Sequence, residues 1–198
     1  MSSNFDNSIL ELMKAHGMDV PFKKKMINIE GAKEIMQNAL SYFLSIRNEK
    51  AVWLPEYDKV AEWLSDNEGK GLLLFGSCGL GKTFLVRYVI PAILLKYKNM
   101  VVKYTDIQQV NKNIDAAMNT PIIAIDDIGI EELHNEYGNK RLALYEVLDM
   151  AEKKGNLVIC TSNLGGQDLL KKYGERVYER IYSTMKRVAF NGESLRKL

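Results

Sequence analysis

The chain has 198 residues, 46% of them hydrophobic and 26% charged, which suits one α/β domain with a small appendage. Its formal net charge of only +2 gives no overall basic character of the kind that requires a nucleic-acid partner. No apolar run approaches the ~20 residues of a membrane span, no signal-peptide pattern opens the chain, and Cys78 and Cys160 show no pairing pattern. We therefore expect a cytoplasmic protein without a membrane partner.

Residues 1–50 are predicted to be mainly helical. Ser8 is placed to cap a helix over Ile9–His16, and Gly17 is placed to end it. Apolar residues at spacings of three and four then predict a longer helix over Glu30–Arg47. The apolar face of that helix must pack on something, which is either the rest of the chain or a partner protein.

A second short helix is predicted over Glu56–Leu64, opened by Pro55. Trp53 and Tyr57 lie in this approach to the next motif and are candidates to line a base-binding pocket. Burial of an aromatic side chain needs no ligand, so a place in the hydrophobic core is the simpler interpretation of both.

A glycine-rich loop follows the apolar run 71–75, which has the length of a strand, and precedes a helix predicted over Phe84–Tyr97. Its residues match the pattern G-x-x-x-x-G-K-[ST] at every fixed position: Gly76, Ser77, Cys78, Gly79, Leu80, Gly81, Lys82 and Thr83. Backbone N–H groups of such a loop surround phosphates, assisted by the helix N-terminus. Lys82 is expected to reach the β- and γ-phosphates and the Thr83 hydroxyl to ligate Mg²⁺. The sequence therefore predicts binding of ATP with Mg²⁺.

Strands and helices alternate along the rest of the chain. The predicted elements are a strand Met100–Thr105, a helical stretch Asp106–Met118, a strand Pro121–Asp127, a helix Lys140–Lys154, a strand Leu157–Thr161, helices Gly166–Lys172 and Glu175–Thr184, and a strand Arg187–Phe190. Near-continuous apolar strands that alternate with helices favour a parallel sheet covered on both faces. We expect an α/β fold with a five-stranded parallel sheet between helices.

Polar side chains follow two of these apolar strands, at the sheet edge where ligands of open parallel sheets lie. Asp126 is expected to hold Mg²⁺, directly or through water, and Asp127 to polarise the water that attacks the γ-phosphate. Asn163 is expected to hold that water or a γ-oxygen, and Glu131 is a candidate to assist the short carboxylate of Asp127. A loop carboxylate, a helix cap and a simple turn remain alternatives for these residues.

Three arginines near the C-terminus are candidates to compensate the charge that develops on the γ-phosphate. Arg176 and Arg180 lie four residues apart on one predicted helix face, and Arg196 lies close to the last residue. One of them can act on the nucleotide of its own chain and another on that of a neighbouring subunit. From residue 171 onward the chain has eight Lys and Arg against three Glu, and an ordinary solvated face remains an alternative.

Five motifs in this order resemble the AAA+ ATPases of the DnaC/DnaI helicase-loader and IstB-like group. They are Gly76–Thr83, Ile125–Gly129 with Glu131, Thr161–Asn163, Gly174–Ile181 and Gly192–Arg196. The resemblance covers roughly residues 50–198 and implies an AAA+ domain over 51–198, without a C-terminal lid domain, after a helical N-terminal extension over 1–50. It implies further that Arg180 is a finger acting on a neighbouring subunit, Arg176 its supporting neighbour and Arg196 the sensor-2 arginine.

The resemblance also implies partners and an ATP-dependent homo-oligomer. Members of the group load the replicative hexameric helicase onto single-stranded DNA, with the helicase bound through the N-terminal region, whereas IstB-like relatives assist a transposase. The segment 106–120 is shorter than the DNA-contacting region of loaders, and the N-terminal region has no cysteine cluster. A third alternative is a P-loop kinase that phosphorylates a small acceptor; the acidic pair with Asn163 argues against it.

Overall fold

Five parallel strands form the centre of the protein. The structure is a computed structural model that describes residues 7–131, 134–136 and 139–195, with the backbone alone for 134–136 and 139–141. The strands are β1 Gly71–Gly76, β2 Lys103–Asp106, β3 Ile122–Asp126, β4 His134–Glu136, β5 Asn139–Arg141, β6 Leu157–Ser162 and β7 Met185–Phe190. The order of the strands in the central sheet is β2-β3-β6-β1-β7. The predicted five-stranded parallel sheet is confirmed. Strands β4 and β5 pair with each other as an antiparallel ribbon that the sequence analysis did not anticipate.

Helices cover both faces of the sheet. They are α1 Asn7–Ala15, α2 Ala32–Ser45, α3 Pro55–Ser65, α4 Lys82–Phe84, α5 Ile90–Lys98, α6 Ile107–Lys112, α7 Ile114–Met118, α8 Ala143–Lys154, α9 Gly166–Tyr173 and α10 Glu175–Thr184. Within the part of the chain that the structure describes, none of them has the length and apolar character needed to cross a membrane.

Two hydrophobic layers hold the helices to the sheet. Alternation along β1 separates them, because successive side chains of a strand point to opposite faces. Leu72 and Leu74 are buried with α2, α3 and α5, whereas Leu73 is buried with α6 to α10. The three inner strands β1, β3 and β6 are thus buried on both faces over most of their length, which is why their sequences are nearly continuous apolar runs.

The apolar face of α2 belongs to the first of these layers. Met36 and Leu40 of α2 are buried together with Ile27 and Ile29, which precede the helix. Of the two alternatives for this face, packing on the rest of the chain is the one observed. Helix α1, in contrast, has no buried residue. The division of the chain at residue 50 stays a prediction.

The predicted helix after the glycine-rich loop contains a wider π-helical turn, Leu85–Val89, between α4 and α5. The N–H of Ile90 bonds to the carbonyl of Leu85, five residues back, in place of the usual four. Pro91 follows and has no N–H with which to continue the regular pattern, so the helix widens just before it.

Two predicted helices have different bounds in the structure. The stretch 106–118 is two helices, because Asn113 ends α6 and its side chain accepts a hydrogen bond from the N–H of Ala116, capping α7. The helix predicted from Lys140 begins only at Ala143, since residues 139–141 pair as strand β5. In both places local hydrogen bonds set the bounds of the helix, although the spacing of apolar residues predicts a longer one.

Candidate nucleotide-binding site

The glycine-rich loop leaves β1 at the carboxyl edge of the sheet, and two of its glycines have no room for a side chain. Gly76 has a φ of 113°, and a Cβ there would lie 2.4 Å from the carbonyl oxygen of Phe190 in β7. Gly81 has a φ of 82°, and a Cβ there would lie 2.5 Å from the hydroxyl of Tyr57. The positive φ values and the close contacts both require glycine.

Contacts with β7 and α3 hold the loop in place. The N–H of Ser77 donates to the carbonyl of Phe190 over 2.8 Å. The hydroxyl of Tyr57 donates to the carbonyl of Leu80 over 3.0 Å. Tyr57 is only 2% exposed, so this residue, a candidate for the base pocket, supports the loop from the core. Cys78 is an exposed free thiol at the outer side of the loop.

Lys82 is buried inside the loop, with 4% of its surface exposed. Its ammonium donates to the carbonyls of Gly76, over 3.0 Å, and Ser77, over 2.7 Å. Burial of a charge is costly unless the charge is hydrogen-bonded, and these carbonyls meet that need. The cation is thereby held at the centre of the loop, where the sequence predicts the phosphates.

The carboxylate of Asp126 lies at the end of β3 and accepts hydrogen bonds from three hydroxyl groups. Thr83 donates to Oδ1 over 3.1 Å, and Thr161 donates to the same oxygen. Tyr104 donates to Oδ2 over 2.8 Å. The hydroxyl of Thr161 in turn accepts from the N–H of Asp127, over 2.9 Å. Residues from four different elements, namely α4, β2, β3 and β6, therefore meet at this carboxylate.

Asp127 follows Asp126 and bonds to the end of the neighbouring strand. The side-chain amide of Asn163 donates to Asp127 Oδ1 over 3.0 Å. Burial, first of all, and the nearby charge of Asp126 raise the pKa of Asp127 above its usual value. The charge of Lys82 and the hydrogen bond from Asn163 act in the opposite direction. Asp127 therefore has the environment expected of a proton acceptor whose pKa lies above that of a free aspartate.

The donor set at Asp126 fits a magnesium ion. Mg²⁺ prefers oxygen ligands, and in nucleotide sites it is held by one or two protein groups together with substrate phosphates. The carboxylate of Asp126 and the hydroxyl of Thr83 supply two hard oxygens within hydrogen-bond distance of each other. Thr83 is the last residue of the loop that the sequence assigns to the phosphates, and Asp126 is hydrogen-bonded to it.

Glu131 is placed differently from the expectation that it assists Asp127. Its carboxylate accepts hydrogen bonds from the N–H of Gly129, over 2.7 Å, and from the hydroxyl of Tyr173 on α9. It is only 3% exposed, and its backbone carbonyl accepts from Lys172 over 2.7 Å. The geometry favours a structural role, in which Glu131 ties the segment after β3 to α9.

The arginines of α10 bond to α8. Arg180 bonds through Nη2 to Asp149, over 2.8 Å, and through Nη1 to Glu152. The guanidinium of Arg176 lies 4.5 Å from the ring centroid of Tyr145. The structure thus places both arginines against their own chain and joins neither to the cluster around Asp126. Arg196 lies outside the described residues, so its expected role stays a prediction.

Two residues of the carboxylate cluster were not recognised from the sequence. Thr161 lies in a quoted motif, but only the structure shows that its hydroxyl joins Asp126 to the N–H of Asp127. Tyr104 gave no signal beyond its place in the predicted strand Met100–Thr105. Its contact with Asp126 depends on the pairing of β2 with β3, which the sequence does not specify.

The sheet order, with the glycine-rich loop after β1 and the acidic pair after β3, is that of the AAA+ type of P-loop NTPase fold. The family model of novel STAND NTPase 3 matches residues 52–189, and the chain belongs to that family. No curated protein matches the chain.

Solved structures share this fold. The chain is similar to a candidate primosome component from Streptococcus pyogenes serotype M3, with 23% identity, a TM-score of 0.52 and coverage of 85% of each chain. It is similar to DnaI with 19% identity, a TM-score of 0.60 and coverage of 83% of this chain and 96% of that chain. It is also similar to domain III of the Thermotoga maritima replication initiation protein DnaA, with 17% identity, a TM-score of 0.52 and coverage of 70% of this chain and 64% of that chain. The resemblance to DnaC/DnaI-type AAA+ domains is confirmed at the level of the fold.

Proposed function

We propose that this protein binds ATP with Mg²⁺ and hydrolyses it. The observation that carries the proposal is the hydrogen-bonded cluster of Thr83, Asp126, Thr161, Asp127 and Asn163 at the edge where the glycine-rich loop begins. Ligands of open parallel sheets lie at this edge. A chance match of the loop pattern does not account for an acidic pair after β3 that is hydrogen-bonded to Thr83 of the loop and to residues of and after β6.

Different residues of the chain bind the phosphates and the metal ion. Backbone N–H groups over 77–83 surround the phosphates, and the ammonium of Lys82 exchanges its loop carbonyls for β- and γ-phosphate oxygens. Thr83 and Asp126 would hold Mg²⁺, and the ion would neutralise charge on the phosphates. Thr161 keeps Asp126 oriented through its hydrogen bond.

Hydrolysis needs a water molecule aligned with the γ-phosphate. Asp127 accepts a proton from that water, and Asn163 orients the carboxylate and the water together. The hydrogen bond between the two side chains supports this pairing. A water-positioning pair of this kind favours hydrolysis over transfer to a small acceptor.

Arg180 completes the site of a neighbouring subunit, with Arg176 supporting it and Arg196 acting as sensor 2. To reach a neighbour's γ-phosphate, Arg180 must exchange Asp149 and Glu152 for phosphate oxygens. Hydrolysis therefore depends on assembly. Because the phosphates of bound ATP supply the new partners of Arg180, the proposed oligomer forms in the presence of ATP.

The biological role that we propose is a DNA replication accessory, most specifically a loader of the replicative hexameric helicase. The support is the likeness in fold to DnaI, to the candidate primosome component and to domain III of DnaA. Residues 1–50 are the proposed helicase-binding extension, and single-stranded DNA is a proposed ligand of the core. Helix α1 has no buried residue and is therefore accessible to a partner.

The test is a pull-down from the lysate of the source cell with Mg·ATP, using the Arg180→Ala protein to slow turnover. Recovery of the replicative helicase supports the loader, and a helicase bound equally well without residues 1–18 contradicts the role of α1. Recovery of a transposase without helicase contradicts the loader and favours an IstB-like transposition helper. Stoichiometric phosphorylation of a small molecule would contradict both and favour a kinase.

A further inference from the structure

Tyr104 is the least expected member of the cluster around Asp126. Its hydroxyl donates to Asp126 Oδ2 over 2.8 Å, whereas Thr83 and Thr161 both donate to Oδ1. It is therefore the donor that the structure assigns to the second oxygen. Tyr104 lies on β2, one strand outward from β3 and away from the phosphate loop.

The register between β2 and β3 explains how the ring reaches the carboxylate. Tyr104 lies opposite Ala124, and Asp106 lies opposite Asp126. The carboxylate is thus two residues farther along the strand direction, or roughly 6.6 Å at the usual rise of a strand. A tyrosine side chain spans about that distance when it leans along its strand.

The ring of Tyr104 contacts both the hydrophobic core and a cation. It packs against the first hydrophobic layer, which includes Ala124. The guanidinium of Arg87, from the π-helical turn, lies 5.1 Å from the ring centroid. A cation is attracted to an aromatic face, so this contact helps to hold the ring in place.

We propose that Tyr104 is a positioning residue of the magnesium site, which fixes the rotation of the Asp126 carboxylate and the direction of its free lone pairs. With Tyr104 on Oδ2 and Thr161 on Oδ1, the carboxylate cannot turn without losing a hydrogen bond. The lone pairs that remain are thereby directed toward Thr83 and the loop. This inference rests on the proposed ATP·Mg²⁺ site and adds a residue to it.

The hydroxyl of Tyr104 is a donor throughout the physiological pH range. A phenol hydroxyl ordinarily loses its proton only at about pH 10. The hydroxyl of Tyr104 is therefore available to donate to the carboxylate of Asp126 at neutral pH. Partners that orient a metal ligand from behind it usually contribute substantially to metal affinity.

The experiment compares Tyr104→Phe with Tyr88→Phe in the full chain. Both substitutions remove one phenol hydroxyl from a ring that contacts Arg87, but only Tyr104 bonds to Asp126. Binding of a fluorescent, non-hydrolysable ATP analogue is measured while Mg²⁺ is titrated, and again in excess chelator. The thermal midpoint of each protein reports any general loss of stability.

For Tyr104→Phe, we expect the Mg²⁺ concentration at half-maximal effect to rise roughly tenfold, as for other substitutions behind a metal ligand. Binding in chelator and the thermal midpoint are expected to stay close to those of the unsubstituted protein, as they do for Tyr88→Phe. In hydrolysis, excess Mg²⁺ restores most of the lost rate, because the missing hydrogen bond acts through metal binding.

An unchanged Mg²⁺ titration in Tyr104→Phe overturns the inference, including the case in which only the thermal midpoint falls. An equal shift in Tyr88→Phe also overturns it, because the effect then does not come from the bond to Asp126. If the unsubstituted protein binds no nucleotide, the proposed function itself fails. If the unsubstituted protein binds nucleotide in an Mg²⁺-dependent way and Tyr104→Phe binds it equally well, the inference about Tyr104 fails while the proposed function stands.

Discussion

The carboxyl edge of the sheet and helix α10 hold the two halves of the predicted catalytic set, and they differ in how complete they are. At the sheet edge, Thr83, Asp126, Asp127 and Asn163 form one network of hydrogen bonds within the chain. On α10, Arg180 is paired with two acids of its own chain, Asp149 and Glu152 of α8, and not with the network at the sheet edge.

The difference comes from the elements that position each half. Parallel strands bring their carboxyl ends to one edge of the sheet. The parallel arrangement alone is therefore sufficient to bring together residues that follow different strands. A helix places its side chains against whatever it packs on, and the polar side of α10 faces acids of α8. We infer that nucleotide binding is a property of one chain and that fast hydrolysis requires a second.

The largest effect is expected for Lys82→Ala, which should abolish nucleotide binding. The ammonium is the buried cation of the loop, and no other side chain in the loop 76–83 has a positive charge. Isothermal titration calorimetry with an ATP analogue provides the measurement. Lys96→Ala, on the exposed side of α5, is the control and should bind normally. If Lys82→Ala binds the ATP analogue with unchanged affinity, the loop 76–83 is not the nucleotide-binding site.

Arg180→Ala should leave nucleotide binding intact and lower kcat by roughly a thousandfold, the lower range for loss of an arginine finger. Lys153→Ala is a matched control, because Lys153 also pairs with Asp149, over 2.7 Å, but has no proposed finger role. Mixing Arg180→Ala with Lys82→Ala sharpens the comparison. A finger acting in trans requires that the Lys82→Ala chain restore hydrolysis at the intact site of the other.

If Arg180→Ala hydrolyses ATP at the normal rate and only the thermal midpoint falls, the arginine is an ion-pair partner of α8 and nothing more. The double substitution Asp149→Asn with Glu152→Gln tests the same point in the opposite direction. It releases Arg180, so hydrolysis should rise at protein concentrations where assembly is incomplete. An unchanged rate would show that these ion pairs do not restrain the finger.

Asn163→Ala should lower kcat by roughly ten- to a hundredfold, within the range for a group that assists proton transfer. The hydrogen bond from Asn163 lowers the pKa of Asp127, so its loss should raise that pKa further. Since only the ionised carboxylate accepts a proton, the acid side of the kcat–pH profile should move to higher pH. Asn156→Ala, at the opposite end of β6, is the control; an unmoved profile contradicts the pairing.

The smallest effect on the ATPase is expected from removal of residues 1–18. Helix α1 has no buried residue, so the thermal midpoint and the hydrolysis rate should not change, while proposed binding of the helicase is lost. Removal of residues 1–45 is the contrast, because it also deletes Met36 and Leu40 from the core. Loss of a large buried side chain costs about 2–5 kcal/mol each, so that protein should unfold.

The sequence by itself predicted the candidate site and determined the fold class. The loop pattern around Lys82 is typical of phosphate binding, and an apolar strand that ends in Asp126 and Asp127 is the second feature expected beside it. Alternation of strands and helices then led to a parallel sheet, since each strand needs cover on both faces. These are local signals, and short-range physical rules are sufficient to interpret them.

Only the tertiary structure decided which side chains contact one another. The sequence offered Glu131 as an assistant of Asp127, but packing of α9 takes its carboxylate to Tyr173. It gave Tyr104 no role, because the bond to Asp126 exists only through the β2–β3 register. Hydrophobic periodicity specifies that a strand is buried but not which strand lies beside it. The contacts of each polar side chain are therefore determined by the strand order and helix packing of the whole fold.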